Sequence, residues 1–234
     1  ALLATGDELL SVDEKLKPGK IRASTHFALT ALLQKAGYTV INLGIARDTP
    51  KIITTKIQKA LKADVIITTG GVSMGEKDYV RQAVEKAGIK IHFWKVRQKP
   101  GKPLVFGSSG KNLFFGLPGN PVSSLVCFEL YVTPAIARIA GQPSPVLRVP
   151  VRLEHNIYKK VGLRHFLRAR LHSQDGQIKA ALSGEQSSGV LSHMAYAHAL
   201  LDISESDGDK NKNDIVEAVI LDREHLNLLI PSLH

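Results

Sequence analysis

A chain of 234 residues, 44% hydrophobic and 22% charged, has the composition of a soluble globular core, which excludes a disordered or fibrous protein. Its net charge of +10 and pI near 9.7 imply attraction to anions, without choosing among nucleic acid, membrane surfaces and phosphorylated small molecules. The single cysteine, Cys127, excludes internal disulfides and multi-cysteine metal sites, in keeping with a reducing compartment.

The chain opens inside what reads as a strand, ALLA, ending at Thr5-Gly6. It has no initiator Met, no basic flank and no long apolar leader, so it reads as a cytoplasmic fragment. From Ser24 to Ala36 the spacing of Leu29, Leu32, Leu33 and Ala36 predicts a helix, stopped by Gly37. TVINLGI predicts a second strand, and Thr49-Pro50 opens a helix with Ile53, Ile57, Ala60 and Leu61 on one face. DVIITT predicts a third strand, after which Val80, Ala83, Val84 and Ala87 mark another helix. KIHFWKV, PLVF and NLFFGL then read as strands, before a long helix from Pro121 to Ile139. Strands alternating with helices predict a mostly parallel sheet in a three-layer α/β/α domain. No run reaches the roughly eighteen uninterrupted apolar residues of a membrane span.

Past Gly141 the texture changes. Prolines cluster at Pro143, Pro145 and Pro150, and short β-like runs (LRVPVRL, FLRARL, IKAAL, IVEAVIL) are separated by turns, with SESDGDKNKND as an exposed loop. The expected organisation is an α/β domain over 1–143 and a small all-β, barrel-like domain over 144–234.

In open parallel sheets the ligand crevice lies outside the carboxyl ends of the strands. Glu8, Asp48 and Asp78 each follow a predicted strand end by a few residues, so they can face one crevice and offer oxygen ligands to Mg²⁺. The competing reading for Asp48 and Asp78 is helix capping. In GGVSMGEKDY, Gly70, Gly71 and Gly75 let backbone N–H groups turn toward an anion and Ser73 adds a hydroxyl. A metal held by Asp78 would let carboxylate and phosphate share the site. The loop lacks the Lys-Ser/Thr of an ATPase phosphate loop. Lys99 and Lys102 lie three apart on the proline-stiffened turn KPGKP, placed to meet one tetrahedral anion. In LPGNPVSS, Asn120 suits the N-cap and Pro121 the first helical position, leaving free N–H groups and Ser123 facing the crevice. Cys127, inside SSLVCFELYV, reads as a packing residue. Zinc-finger spacing, RNA-binding aromatics and a basic tail are missing, which argues against nucleic acid.

Taken in order, TGDEL, PGKI, NLGI-x-RD-x-P, ITTGGVSMGEKDY, KPGKP and LPGNPVSS resemble the molybdopterin molybdotransferase family, the bacterial MoeA proteins and the E domain of gephyrin. The chain corresponds to the family's C-terminal portion, without its N-terminal domains. The resemblance implies homodimers and Mg²⁺-dependent insertion of molybdate into adenylylated molybdopterin, with release of AMP. Glu8, Asp48 and Asp78 match the family's acidic residues, with Asp78 foremost as metal ligand. Ser73, Lys99, Lys102, Pro103 and Ser123 match the molybdate and pterin-phosphate pocket, and Pro118, Gly119, Asn120 and Pro121 its rigid turn. Arg164 and Ser188 match positions that help hold molybdate. Ala23 and Thr25 stand where the family commonly carries Asp and Asn, and Thr49 where it often has Asp or Asn. Two alternatives remain in view: a related molybdopterin adenylyltransferase, and a gephyrin-like dimeric scaffold that captures a receptor peptide.

Overall fold

The computed structural model describes residues 1–72, 79–187, 189 and 191–230. Ser73, Gly75, Asp78 and Ser188 lie outside the described residues. The chain packs as two units, Ala1–Val96 with Gly101–Phe128 and Arg97–Pro100 with Glu129–His234.

In the first unit, β1 (Leu2–Thr5) leads into an excursion where β2 (Leu9–Leu10) pairs with β3 (Ile21–Arg22). α1 (Ser24–Lys35) buries Thr25, His26, Leu29 and Leu33. β4 (Asn42–Ala46) starts at Asn42 rather than at Thr39, because it is an edge strand and its one neighbour, β1, begins opposite Asn42. A strand gains no ladder bonds beyond its partner. α2 (Pro50–Ala60) buries Ile53, Ile57 and Ala60, and β5 (Val65–Thr69) crosses the core. α3 (Tyr79–Lys86) buries Val80, Ala83 and Val84 before β6 (Lys90–Phe93). β7 (Gln98–Lys99) belongs to the second unit, and the chain then returns as β8 (Val105–Ser108), β9 (Leu113–Leu117) and α4 (Pro121–Cys127).

The sheet order is β4-β1-β5-β9-β8-β6, with β4, β1, β5 and β9 parallel and β8 antiparallel to both neighbours. The connection leaving β1 goes to β4 on one side, and the one leaving β5 goes to the other. The switch point therefore falls between the carboxyl ends of β1 and β5, where such sheets bind ligands. Cys127 is fully buried and its thiol is pushed up to about 12 by burial, so it packs rather than attacks.

The long helix expected over 121–139 is not continuous. Phe128–Val132 form a π-helical turn between α4 and α5 (Thr133–Ile139). Pro134 accounts for it: proline has no N–H for the carbonyl four residues back and its ring clashes there, so the ladder widens before it. Thr133 Oγ1 donates to Glu129 O at 2.7 Å in compensation. By length and composition the run Pro121–Ile139 is long and apolar enough to cross a membrane, but half of it is buried in the protein, as in a core helix.

The second unit is a closed barrel of β10 (Arg148–Leu153), β11 (Arg164–Gln174), β12 (Gln177–Leu182), β13 (Ala199–Ile203) and β14 (Ile215–Ile220). The order β12-β10-β14-β13-β11 closes through β11–β12, and β7 adds to the edge of β11. Alternate residues fill the interior: Val151 and Leu153, Ala169 and Leu171, Ala199, Leu201 and Ile203, Val216, Ala218 and Ile220. α6 (Ser192–Ala195) precedes β13, and α7 (Arg223–Leu229), capped by Asp222, inserts Leu226 into that core.

His198 and His225 hold α7 to β11. Their rings lie 3.5 Å apart, His198 Nδ1 accepts from Leu171 N at 3.1 Å, and His225 Nε2 donates to Leu171 O at 2.8 Å. Burial first, then the facing His225, lowers the His198 pKa, and Arg170 acts in the same direction, while Leu171 O, 3.3 Å from Nδ1 and an acceptor for its proton when the ring is charged, and Asp222 oppose it. The unfolded chain therefore binds protons more readily than the folded one. Stability is intact above the unfolded value of about 6.5 and is lost as pH falls below it. His198→Gln is expected to flatten that acid-side slope in urea unfolding at pH 5.5 and pH 8. An unchanged slope would refute the role given to this pair.

Candidate active site

At the end of β1, Gly6 N donates to Ala46 O at 3.2 Å, joining the tips of β1 and β4. A side chain at Gly6 would place its Cβ 2.6 Å from Glu8 Oε1, so the glycine makes room for the Glu8 carboxylate to fold back over the strand end. Asp7 N donates to Asp48 Oδ2 at 3.4 Å and Asp48 N donates to Asp7 Oδ1 at 3.1 Å. The Asp48 carboxylate thus reaches across to the β1 loop. It does not cap α2, whose N-cap is Thr49, without a side-chain bond. Arg47 Nη1 donates to Asp7 O at 2.6 Å and Leu9 O at 3.0 Å, and Lys20 Nζ to Asp7 O at 2.8 Å. The loop carrying two acids is therefore held by two cations through its backbone.

Burial raises the pKa of Asp48, and the charges of Asp7 and Glu8 raise it further against the opposing Asp7 backbone bond. Glu8 and Asp48 are the acids expected here from sequence, and Asp7, the D of TGDEL, joins them through its exchange of hydrogen bonds with Asp48. Asp78 lies outside the described residues. Among the described residues, no group of three His, Cys, Asp or Glu is placed to close around a metal. A closed cage is not what Mg²⁺ needs: it commonly takes one or two carboxylates and completes its shell with water and phosphate oxygens. The charges of Asp7 and Glu8 repel that of Asp48 across the strand ends, and carboxylate oxygen is the donor type that Mg²⁺ takes.

The glycine turn closes the other side of the crevice. Gly70 and Gly71 have φ of +80° and +65°, and a Cβ at Gly70 would meet Thr5 O at 2.4 Å. At Gly71 it would meet Thr5 Oγ1 at 2.6 Å and Val80 Cγ2 at 2.7 Å. Only glycine lets the β5 exit lie against the β1 exit. Gly70 N donates to Leu117 O at 3.1 Å, which brings the β9 turn alongside. There Ser124 Oγ donates to Pro118 O, and a Cβ at Gly119 would lie 3.6 Å from Gly70 Cα.

Asn120 and Pro121 take the N-cap and first-turn places expected. The N–H groups of Ser123 and Ser124, however, are not free: Asn120 Oδ1 accepts from Ser123 N at 3.3 Å and Asn120 O from Ser124 N at 2.9 Å. The Asn120 carboxamide thus takes the Ser123 donor and its backbone carbonyl the Ser124 donor, two of the N–H groups expected to face an anion. Ser123 itself is buried.

The two lysines of KPGKP fall in different units. Lys102 lies in the first, where its carbonyl accepts from Val96 N and Leu104 N, both at 3.0 Å, and Pro103 follows it. Lys99 lies in the second, on β7, beyond which the Lys99–Pro100 bond is cis.

In the barrel, Asp202 binds the Arg164 fork through Nε at 2.6 Å and Nη2 at 2.8 Å, and takes Arg148 Nη1 at 2.5 Å. This pairing raises the Arg164 pKa, and a partly occupied fork is a poorer anion ligand than the sequence expectation allowed. Arg168, not singled out from sequence, is 1% exposed, and its Nη2 donates to Glu185 O at 2.7 Å and Ser187 O at 3.0 Å. Gln186 closes the clamp, accepting from Arg168 N at 2.9 Å and donating to Arg168 O at 3.1 Å. Among the described residues Arg168 Nε is buried without a partner. Alternation along the strand gives no signal for it: Arg168, the first arginine of FLRARL, alternates with Ala169 and Leu171, which face the barrel interior, so its register is outward and its burial comes from the loop packed over it.

Fold and site together define an α/β protein with a switch-point crevice at the carboxyl ends of β1 and β5, whose chain continues into a closed β-barrel. The chain belongs to the family described as probable molybdopterin binding domain, which it matches over residues 1–138, and residues 150–221 match the MoeA C-terminal region, domain IV. A molybdopterin molybdenumtransferase from a Nostoc strain is 38% identical over 208 residues, covering 86% of this chain and 48% of that protein. One from Haemophilus influenzae is 35% identical over 225 residues, covering 92% and 54%. The crystal structure of a molybdopterin biosynthesis MoeA protein from Pyrococcus horikoshii superposes with a TM-score of 0.77 at 27% identity, covering 94% of this chain and 53% of that one. The chain spans about half the length of these relatives.

Proposed function

We propose that this chain carries the catalytic crevice of a molybdopterin molybdotransferase, which inserts molybdate into adenylylated molybdopterin and releases AMP with Mg²⁺ present. The observation that carries the reading is the convergence of Glu8, Asp7 and Asp48 with the Gly70-Gly71 turn at the switch point of a molybdopterin-binding fold. Glu8 and Asp48, with Asp78, would hold Mg²⁺, which would polarise the phosphoanhydride when bound. The chain's own residues supply the rest. The glycine turn admits the substrate backbone-close, the lysines offset oxyanion charge, and a carboxylate orients and deprotonates the attacking water. Ser73, Gly75, Lys99, Lys102, Pro103, Pro118, Ser123, Arg164 and Ser188 keep the pocket roles the resemblance implies. The domains divide as 1–143 and 144–234, and the working protein is a cytoplasmic homodimer, the single reduced cysteine agreeing with that compartment.

The test is AMP release from adenylylated molybdopterin by this chain with Mg²⁺, with and without molybdate. Molybdate-dependent release is expected, and Asp78→Asn should lower it at least about tenfold by removing a metal ligand. Unchanged kinetics in that variant would overturn the acidic crevice. A chain that binds no molybdate but captures an amphipathic peptide would establish the scaffold reading instead.

A further inference from the structure

Lys99 and Gln98 are adjacent on β7, so their side chains leave opposite faces of the strand. Lys99 is exposed, whereas Gln98 is 2% exposed. The buried amide is used at both ends: Tyr131 Oη donates to Gln98 Oε1, and Gln98 Nε2 donates to Pro100 O at 2.9 Å. The second bond spans Lys99, tying the residue before it to the carbonyl of the residue after it. On the backbone side, β7 pairs with β11 in the register Gln98 with Arg164 and Lys99 with His165, and Arg164 N donates to Arg97 O at 2.9 Å. Tyr131 reaches the amide from the π-helical turn, Phe128–Val132.

An apolar side chain would anchor a buried strand position at lower desolvation cost. An amide paired with a phenol adds direction, because hydrogen bonds in a low-dielectric interior hold their partners to a narrow geometry. We propose that Gln98 and Tyr131 are positioning residues for Lys99: they fix the main chain on both sides of it and so aim its ammonium at the oxyanion substrate. This inference rests on the reading of Lys99 as an oxyanion ligand. Neither residue touches the anion. Their effect passes through the lysine, and that makes it separable from a general effect on stability.

Molybdate affinity of the 234-residue chain, measured calorimetrically with sodium molybdate alone, tests it. Lys99→Ala should weaken binding. Tyr131→Phe and Gln98→Met, each removing hydrogen bonds at near-constant volume, should weaken it about three- to tenfold. In the Lys99→Ala background, Tyr131→Phe should add no further loss, as expected of two groups acting through one contact. If Lys99→Ala binds as wild type, the lysine assignment and this inference fall together. Normal affinity in both Tyr131→Phe and Gln98→Met beside a weakened Lys99→Ala overturns the inference and leaves the lysine in place. Equal losses from Tyr131→Phe with and without Lys99 assign Tyr131 to folding only, which also overturns it. A lowered melting midpoint with unaltered affinity counts as that same failure.

Discussion

Replacing Gly70 with asparagine is expected to cost about 2–3 kcal/mol, while the same replacement at Gly37 costs a few tenths, near ~0.3 kcal/mol. The two glycines have nearly the same conformation, φ +80° and +81°. Asparagine tolerates that region better than other residues with a Cβ, so the conformational cost is small and shared. What differs is the space. A Cβ at Gly37, the stop of α1, meets nothing within 4 Å, whereas at Gly70 it falls 2.4 Å from the carbonyl oxygen of Thr5. A backbone atom cannot swing aside as a side-chain tip can, so the tips of β5 and β1 must separate. That separation opens the switch point, and molybdate binding should go with it. Urea unfolding midpoints and slopes for the two variants decide the matter. Equal midpoints would mean that the close approach of the two strand ends contributes nothing.

Asp48→Asn is expected to act in opposite directions on stability and on turnover. Burial and the neighbouring Asp7 and Glu8 charges hold the Asp48 pKa above the usual carboxylate range. The folded chain therefore keeps the proton more tightly than the unfolded one, so stability rises as pH falls through the raised pKa and is given up as the group ionises toward neutrality. Asparagine removes that charge while keeping an oxygen for Asp7 N. At pH 7 without divalent ions the variant should melt at a slightly higher temperature than the parent, and the difference should vanish near pH 3. Mg²⁺ should raise the melting temperature of the parent by binding the folded state, and leave the variant unmoved. Turnover of adenylylated molybdopterin should fall about tenfold or more in the variant. A parent that Mg²⁺ does not stabilise, or a variant with full turnover, would remove the acidic crevice from the mechanism.

The lysine pair shows how far linear spacing reaches. KPGKP reads as one turn presenting two cations to one anion, and its two lysines belong to different units, Lys99 on β7 at the edge of β11 and Lys102 just ahead of β8. Strand pairing over a two-residue segment depends on a partner far along the chain, here β11, so spacing within the turn carries no trace of it. β13 was missed for a similar reason: Ala199–Ile203 is fully buried, lacks alternation, and reads as neither strand nor helix until the barrel closes around it. The π turn over Phe128–Val132 was legible in principle, since Pro134 stands inside the apolar helix that sequence drew as unbroken.

By itself the sequence determined the elements whose signal is local. Period and punctuation located the crossover helices, Gly37 and Pro50 marked a stop and a start, and the glycines of the Gly70-Gly71 turn announced a backbone conformation closed to other residues. The order of its motifs also determined the family. Only the tertiary structure decided what those pieces face. It turned Asp48 from a plausible cap into the partner of Asp7, and it bound the Arg164 fork to Asp202. It buried Arg168 as a loop clamp, and Asn120 consumed donors that looked free. The reason is physical: hydrogen-bond and charge partners are selected by geometry between segments distant in sequence, whereas propensity, capping and glycine torsions act within a few residues.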